Sequence, residues 1–202
     1  MKEDYKKITI ESYDKHAKKF AKKFEKLFDL QRRKEFGEFI ENIKGDKVLD
    51  LGCGAGDHSL YFQSKGLRVT AIDLSSGMID ICKSKGLDAK IMDMENMNFK
   101  AQSFDGVWAV TSLLHVPKKN IGKVIKKLYS ILKKDGLLYI VLKEGVGEGM
   151  KEDNEGKRDR FFAYWRKKEF LDIVNPFFEL VNFRKVKLDS KRTFLELLLR
   201  KK

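Results

Sequence analysis

Val48-Leu49-Asp50-Leu51-Gly52-Cys53-Gly54-Ala55-Gly56-Asp57 is the most informative stretch of the 202-residue chain. An apolar run ends in three alternating glycines, the pattern of a buried parallel strand entering a tight turn. Glycine there lets the backbone turn sharply and lets a ligand approach without a Cβ clash. Open α/β sheets bind ligands in the crevice at the carboxyl ends of their strands. Spacing narrows the ligand. A dinucleotide fingerprint, G-x-G-x-x-G, needs glycine where Asp57 stands, and a P-loop needs a Lys-Ser/Thr pair that does not follow.

Outward from this turn, strand and helix patterns alternate. Further strands are expected at Leu67–Ile72, Ala89–Met92, Phe104–Val110 and Gly136–Leu142. Helices are expected at His58–Ser64, Ser76–Lys85 and Asn120–Leu132. The last of these places Ile121, Val124, Ile125, Leu128, Ile131 and Leu132 on one face. Such alternation predicts a parallel sheet covered on both faces. The first 43 residues read as helix, from the spacing of Phe20, Phe24, Leu27 and Phe28 and of Phe36, Phe39, Ile40 and Ile43. Residues 144–165 break the alternation: Gly145, Gly147, Gly149 and Gly156 among charges predict a mobile loop, closed by Phe161-Phe162-Ala163-Tyr164-Trp165. A short helix from Lys168 to Val174 follows, then strands at Phe178–Leu188 and Thr193–Arg200, joined through Asp189-Ser190-Lys191 as an antiparallel hairpin.

Acidic residues at the strand tips indicate a cofactor. Asp50 and Asp57 around the glycines would repel a pyrophosphate and suit a cationic centre, such as the sulfonium and ammonium of S-adenosylmethionine. Asp73 ends the second strand, where an acid can accept both ribose hydroxyls of an adenosine. Asp93 ends the third, with Met92 and Met94 beside it, a position suited to an adenine amino group with thioethers against the ring.

Together these residues resemble the class I S-adenosylmethionine-dependent methyltransferase family. Its acid-x-G-x-G-x-G motif is matched by Asp50, Gly52, Gly54 and Gly56, its second-strand acid by Asp73 and its adenine-side acid by Asp93. Phe104-Asp105-Gly106-Val107-Trp108 matches its fourth-strand segment, and the resemblance runs over roughly residues 10–200. It implies an α/β, Rossmann-like, doubly wound seven-stranded sheet of order 3-2-1-4-5-7-6. Strand 7 would be antiparallel, with helices on both faces and an N-terminal helical cap. Residues 1–202 would form a single methyltransferase domain: a helical segment (1–45), a cofactor-binding core (46–143), a variable loop (144–167), and a helix with a C-terminal β-hairpin (168–202). The implied cofactor is S-adenosylmethionine, leaving as S-adenosylhomocysteine. The expected cofactor-binding residues are Asp50, Gly52, Cys53, Gly54, Gly56, Asp73, Leu74, Met78, Asp93, Met94 and Thr111.

Methyl transfer from a sulfonium is a displacement from an activated donor. Alignment and desolvation supply much of the acceleration, and a base is needed only if the acceptor loses a proton. His115, just past the fourth strand, and Tyr13, on a helix expected to close over the cofactor, are the candidate catalytic residues. Each could instead serve packing alone. The candidate acceptor pocket is His115, Arg160, Tyr164 and Trp165, an aromatic and cationic wall for an anionic or planar acceptor. Cys53 reads as a small side chain fitting the loop, and no metal site is expected.

Composition bounds the partners. No apolar run reaches the roughly 20 residues of a membrane span, no secretory h-region opens the chain, and the two cysteines sit in unlike contexts, so a cytoplasmic protein is expected. The net charge of +13 is spread as +4 over residues 1–47, +3 over 48–150 and +6 over 151–202, as on a solvated surface. The acceptor is therefore expected to be a small molecule rather than nucleic acid, with no membrane partner, on a monomer or homodimer. An RNA- or protein-directed methyltransferase and a non-catalytic cofactor-binding protein of the same fold are the alternatives. No Asn/Asp-Pro-Pro-aromatic motif follows strand four and no Pro-Cys nucleophile exists, since the only prolines are Pro117 and Pro176; amine-directed base methylation and cytosine C5 chemistry are not indicated.

Overall fold

The computed structural model describes residues 5–30, 34–152, 158–190 and 192–202, leaving out the side chains of residues 24, 26–30, 34 and 158. Gly156, Lys191 and the side chains of Phe24, Leu27 and Phe28, used in the sequence reading, lie outside the described set.

Strands β1 (Lys47–Leu51), β2 (Arg68–Asp73), β3 (Asp88–Ile91), β4 (Phe104–Val110) and β5 (Leu132–Lys143) lie parallel. β8 (Phe178–Lys187) and β9 (Thr193–Lys201) complete a seven-stranded sheet of order β3-β2-β1-β4-β5-β9-β8, with β9 antiparallel to both neighbours. Counted within the sheet, this is the expected order. Its centre is hydrophobic on both faces because both are covered: Val48 to Leu51 and Phe104 to Ala109 are wholly buried. β8 is the edge, and its Glu179, Arg184, Lys185 and Lys187 discourage further pairing.

Helix α6 (Lys118–Ile131) presents Ile121, Val124, Ile125, Leu128 and Ile131 to one face, where α7 (Lys167–Val174) adds Phe170 and Val174. α6 starts two residues before its expected position because the Pro117 carbonyl accepts from the N–H groups of Asn120 and Ile121. On the opposite face, α3 (Lys34–Asn42) and α4 (Asp57–Ser64) pack Phe36, Phe39 and Phe62 around Trp108, and α5 (Ser76–Ser84) packs Ile79 and Cys82 against Ala71 and Ala89.

The expectation of a loop without secondary structure of its own over residues 144–165, read from the sequence as mobile, is corrected. β6 (Glu148–Glu152) and β7 (Arg158–Ala163) form a two-stranded antiparallel ribbon, pairing Gly149 with Phe162 and Met150 with Phe161. Glycine and charge in the first strand hide the pairing. The second gains its apolar side from α1 (Tyr5–Lys15): the Tyr5 and Phe161 rings lie 4.9 Å apart, and Thr9 Oγ1 accepts from the Phe161 N–H at 3.0 Å. With α2 (Ala17–Leu30), α1 caps the carboxyl ends of the parallel strands.

Candidate active site

The glycine loop is strapped to β2. The N–H groups of Gly52 and Cys53 both donate to the Ile72 carbonyl, at 2.8 and 3.0 Å. Gly52 has φ +71°, and a Cβ there would lie 2.4 Å from the Ser112 Cβ, so any side chain would both strain the backbone and displace the neighbouring loop. Gly56 has φ +81°, and a Cβ would meet Leu87 at 2.4 Å and Cys82 Sγ at 2.9 Å. The first glycine thus shapes a ligand cradle, while the third lets α4 start close to α5. Asp73 closes the cradle: its carboxylate accepts from the Gly54 N–H at 3.0 Å and the Ser75 N–H at 2.9 Å.

A cavity of about 110 Å³ opens on this cradle. Gly52, Gly54, Asp73 and Leu74 form one side, and Asp93, Met94 and Thr111 another. Thr111 holds a left-handed φ of 52°, with its N–H donating to the Val141 carbonyl at 3.0 Å. Backbone strain of this kind persists where surrounding structure holds it, often at functional sites. α1 roofs the cavity. Asp14 Oδ1 accepts from Ser75 Oγ at 2.6 Å and the Gly77 N–H at 3.0 Å, tying the helix to the start of α5. At the other end, Lys6 pairs with Asp93 and Glu95, both at 2.8 Å, and the Tyr5 hydroxyl donates to Glu95. Asp93 sits below the usual carboxylate range: Lys6, the Glu95 N–H and Asn96 outweigh its partial burial.

The other expected cofactor residues lie elsewhere. Asp50 is buried beneath the loop and accepts from Ser59 Oγ at 2.7 Å. Burial pushes its carboxyl up to about 7, a shift the Ser59 hydroxyl opposes. It holds the loop from below and lines neither this cavity nor the second one described next; the same is true of Gly56 and Met78. Cys53 lines the second cavity. Its sulfur lies 3.8 Å from that of Cys82, and both cysteines are buried and reduced.

That second cavity, about 320 Å³, adjoins the first. The two share Tyr13, Gly52, Gly54, Val110, Thr111 and His115. At the junction His115 Nδ1 lies 2.7 Å from the Phe161 carbonyl oxygen, and Nε2 lies 2.9 Å from the Tyr13 hydroxyl. A carbonyl only accepts, so Nδ1 carries the ring proton and Nε2 accepts from Tyr13. Burial, reinforced by Arg160 and Lys143, pushes the imidazole down to about 4 and keeps it neutral; the Phe161 carbonyl opposes this. Burial likewise raises the Tyr13 phenol. The sequence placed these two residues some hundred positions apart, and the fold brings them into contact.

Phe36, Trp108, Tyr139, Phe162 and Phe194 line the second cavity, with the Trp108 and Tyr139 rings stacked 4.1 Å apart at 17°. Arg160 lines it, between the Tyr13 and Phe20 rings, while pairing with Asp159 at 2.8 Å. The other half of the expected wall is corrected. Trp165 is 1% exposed and packs edge-on against Phe170, with the Lys118 ammonium over its ring. Tyr164 packs beside Gly145. Neither lines these two cavities. Trp165 forms an isolated bridge with Glu144, and Phe162, on β7, lines the second cavity instead. Sequence reasoning missed Tyr5, Lys6 and Glu95 on the first cavity and Lys143, Phe36 and Tyr139 on the second. None belongs to a local motif, and only the tertiary fold gathers them.

Sheet order, glycine cradle and strand-tip acids define a Rossmann-like methyltransferase fold. Residues 48–136 match the family described as a methyltransferase domain. A ubiquinone biosynthesis O-methyltransferase from Coxiella burnetii is 32% identical over 103 residues, which cover 48% of this chain and 43% of that protein. A demethylmenaquinone methyltransferase from Symbiobacterium thermophilum is 26% identical over 192 residues, covering 87% of this chain and 71% of that one. The alignment to the Coxiella protein thus spans less than half of that relative's length. The crystal structure of a SAM-dependent methyltransferase from Methanosarcina mazei superposes with a TM-score of 0.74 at 24% identity, over 80% of this chain and 96% of that one. The match to that family covers residues 48–136, the solved structure shares the fold, and the cofactor both imply is S-adenosylmethionine. The cradle fits that cofactor: the loop needs glycine where Gly52 stands, and Asp73 and Asp93 offer acceptors to a cationic, hydroxyl-bearing group.

Proposed function

We propose that this chain transfers a methyl group from S-adenosylmethionine to a small-molecule acceptor, with the cofactor in the acid-lined cavity and the acceptor in the aromatic one. One observation carries the reading: the two cavities meet at the Tyr13–His115 pair, beside the glycine cradle. When bound, the cofactor supplies a methyl group already activated on a sulfonium. Asp73 accepts the ribose hydroxyls, and Gly52 and Gly54 bring backbone close to the methionine portion. α1, clamped by Asp14 and Lys6, excludes water from the junction.

Tyr13 and His115 act here as positioning residues. For His115 to take a proton at neutral pH with its imidazole near 4, the protein must supply about 4 kcal/mol. That cost disfavours it as a general base. Its neutral Nε2 instead fixes the Tyr13 hydroxyl, whose oxygen also accepts from Arg160, and the pair so held orients donor and acceptor for in-line attack. An acceptor that is already a nucleophile at neutral pH fits such a site.

Calorimetric titration tests this. S-adenosylmethionine and S-adenosylhomocysteine are expected to bind with micromolar affinity and NAD not at all. Asp73→Ala should weaken the first two about 100-fold, as expected for losing two hydrogen bonds to a charged group. Absence of S-adenosylhomocysteine binding to the intact protein overturns the proposal.

A further inference from the structure

Charge divides the second cavity. Lys23, Lys143, Lys151, Arg160 and Arg192 converge on one side of it. The acids that also line it have partners other than these five cations, although the buried Glu35 Oε2 accepts no hydrogen bond among the described residues. Asp57 pairs with Lys85 at 2.7 Å, Glu35 lies 3.9 Å from Arg184, and Glu196 acts on the Tyr139 hydroxyl. Arg160 is partly neutralised by Asp159, and Arg192 by Asp189. Lys143 differs from both. It is half-buried at the end of β5, and its ammonium lies 3.8 Å from the centre of the Phe162 ring. Among the described residues no carboxylate stands within ion-pair distance of it. Burial and the repulsion of Lys151, Arg160, Arg192 and Lys23 push it down to about 8. Retaining an unpaired, half-buried ammonium among like charges is costly without an anion to offset it.

We propose that the methyl acceptor is a small planar anion, a carboxylate or phosphate borne on an aromatic body, whose charged group is bound by Lys143 with Arg160 while its ring lies against Phe162 and the Trp108–Tyr139 stack. This deepens the methyltransferase reading and rests on it. The charged end would be anchored on the cationic side, and the nucleophilic atom would point to the Tyr13–His115 junction. Lys143 is then a specificity-determining residue. The rim cations Lys23, Lys151 and Arg192 would draw the anion in.

The test measures binding of benzoate, phenyl phosphate and the neutral isostere benzamide to protein saturated with S-adenosylhomocysteine, at pH 7 and low salt. At least one anion is expected to bind about tenfold or more tightly than benzamide. The preference should collapse to within about twofold in Lys143→Met and persist in Lys143→Arg. Melting curves of both variants show that the fold is retained. Which anion wins separates carboxylate from phosphate. Equal or tighter binding of benzamide, a preference unchanged in Lys143→Met, or no binding of any probe while S-adenosylhomocysteine binds would overturn the proposal. Tighter competition by a single-stranded oligouridylate than by phenyl phosphate would overturn it in favour of an RNA acceptor. Failure of S-adenosylhomocysteine to bind would strike the underlying methyltransferase reading instead.

Discussion

The two cavities that meet at Tyr13 and His115 are opposite in construction. The first is lined by carboxylates, Asp73, Asp93 and Glu95, on the tips of consecutive strands and the loops that follow them. The second is lined by aromatic rings and a cluster of cations contributed by α2, β5, β6, β7 and the β8–β9 turn. A cationic methyl donor needs acceptors and negative charge; an anionic acceptor needs the reverse. The strand tips of the parallel sheet provide the acids, while the cations are gathered from α2, the end of β5, the β6–β7 ribbon and the β8–β9 turn. The comparison also separates what a local motif can encode from what only a fold can gather.

The largest expected effect breaks the comparison at Asp73. Asp73→Ala should cost about 100-fold in S-adenosylhomocysteine affinity and leave benzoate binding within about twofold, because the two sites use different charges. Parallel loss of both would show that the cavities are one site. Gly52→Ala comes next. A left-handed φ and a 2.4 Å approach to Ser112 predict a stability loss of about 2–3 kcal/mol in denaturant titration, with weakened cofactor binding. Wild-type stability would show that the loop relaxes and that its glycine is not required. Trp165→Phe sharpens the boundary of the second cavity. It should destabilise the protein by about 1–2 kcal/mol through lost packing yet leave the acceptor KM unchanged; a raised KM would return Trp165 to the acceptor wall.

The smallest expected effect is the pH dependence. Lys143 is protonated below about 8 and loses its charge above it, so kcat/KM for an anionic acceptor should be flat from pH 6 to 7.5. It should then fall about tenfold per unit well above pH 8. His115, held near 4 by burial, should add no inflection near 6.5. The same burial affects stability with a definite sign. The unfolded imidazole takes its proton near 6.5 and the folded one only near 4. His115 therefore stabilises the fold fully above pH 6.5, and that contribution is lost as pH falls towards 4. The difference in stability between wild type and His115→Gln, followed by denaturant titration, should shrink over that range. An inflection near 6.5 in kcat/KM would contradict the buried, neutral assignment.

Much of the first cavity was legible because its residues are neighbours in the chain. Gly52 and Gly54 share one turn, and Asp73 and Asp93 each end a strand whose apolar run is visible beforehand. The alternation pointed to a parallel sheet and the residues around Asp189 to a closing hairpin, while the strand order was implied only by the resemblance to the methyltransferase family. Asp50 and Gly56 belong to the motif but act from beneath it, and a motif does not say which of its residues face the ligand. The second cavity was largely illegible. Lys143 is the last residue of a buried strand, and nothing in Ile140-Val141-Leu142-Lys143 marks its ammonium as facing a cavity. The aromatic run from Phe161 to Trp165 was visible, but its inward face depended on the β6–β7 pairing that glycine and charge conceal. Phe162 turns in and Trp165 turns to the core for that reason.

The most direct test of the two-cavity division is a crystal structure of the protein with S-adenosylhomocysteine. The ribose is predicted on Asp73, the adenine beside Asp93 and Met94, and the sulfur facing the Tyr13–His115 pair, leaving the cavity around Lys143 free of the cofactor. Adenosine bound instead among Lys143, Arg160 and Phe162 would contradict the account.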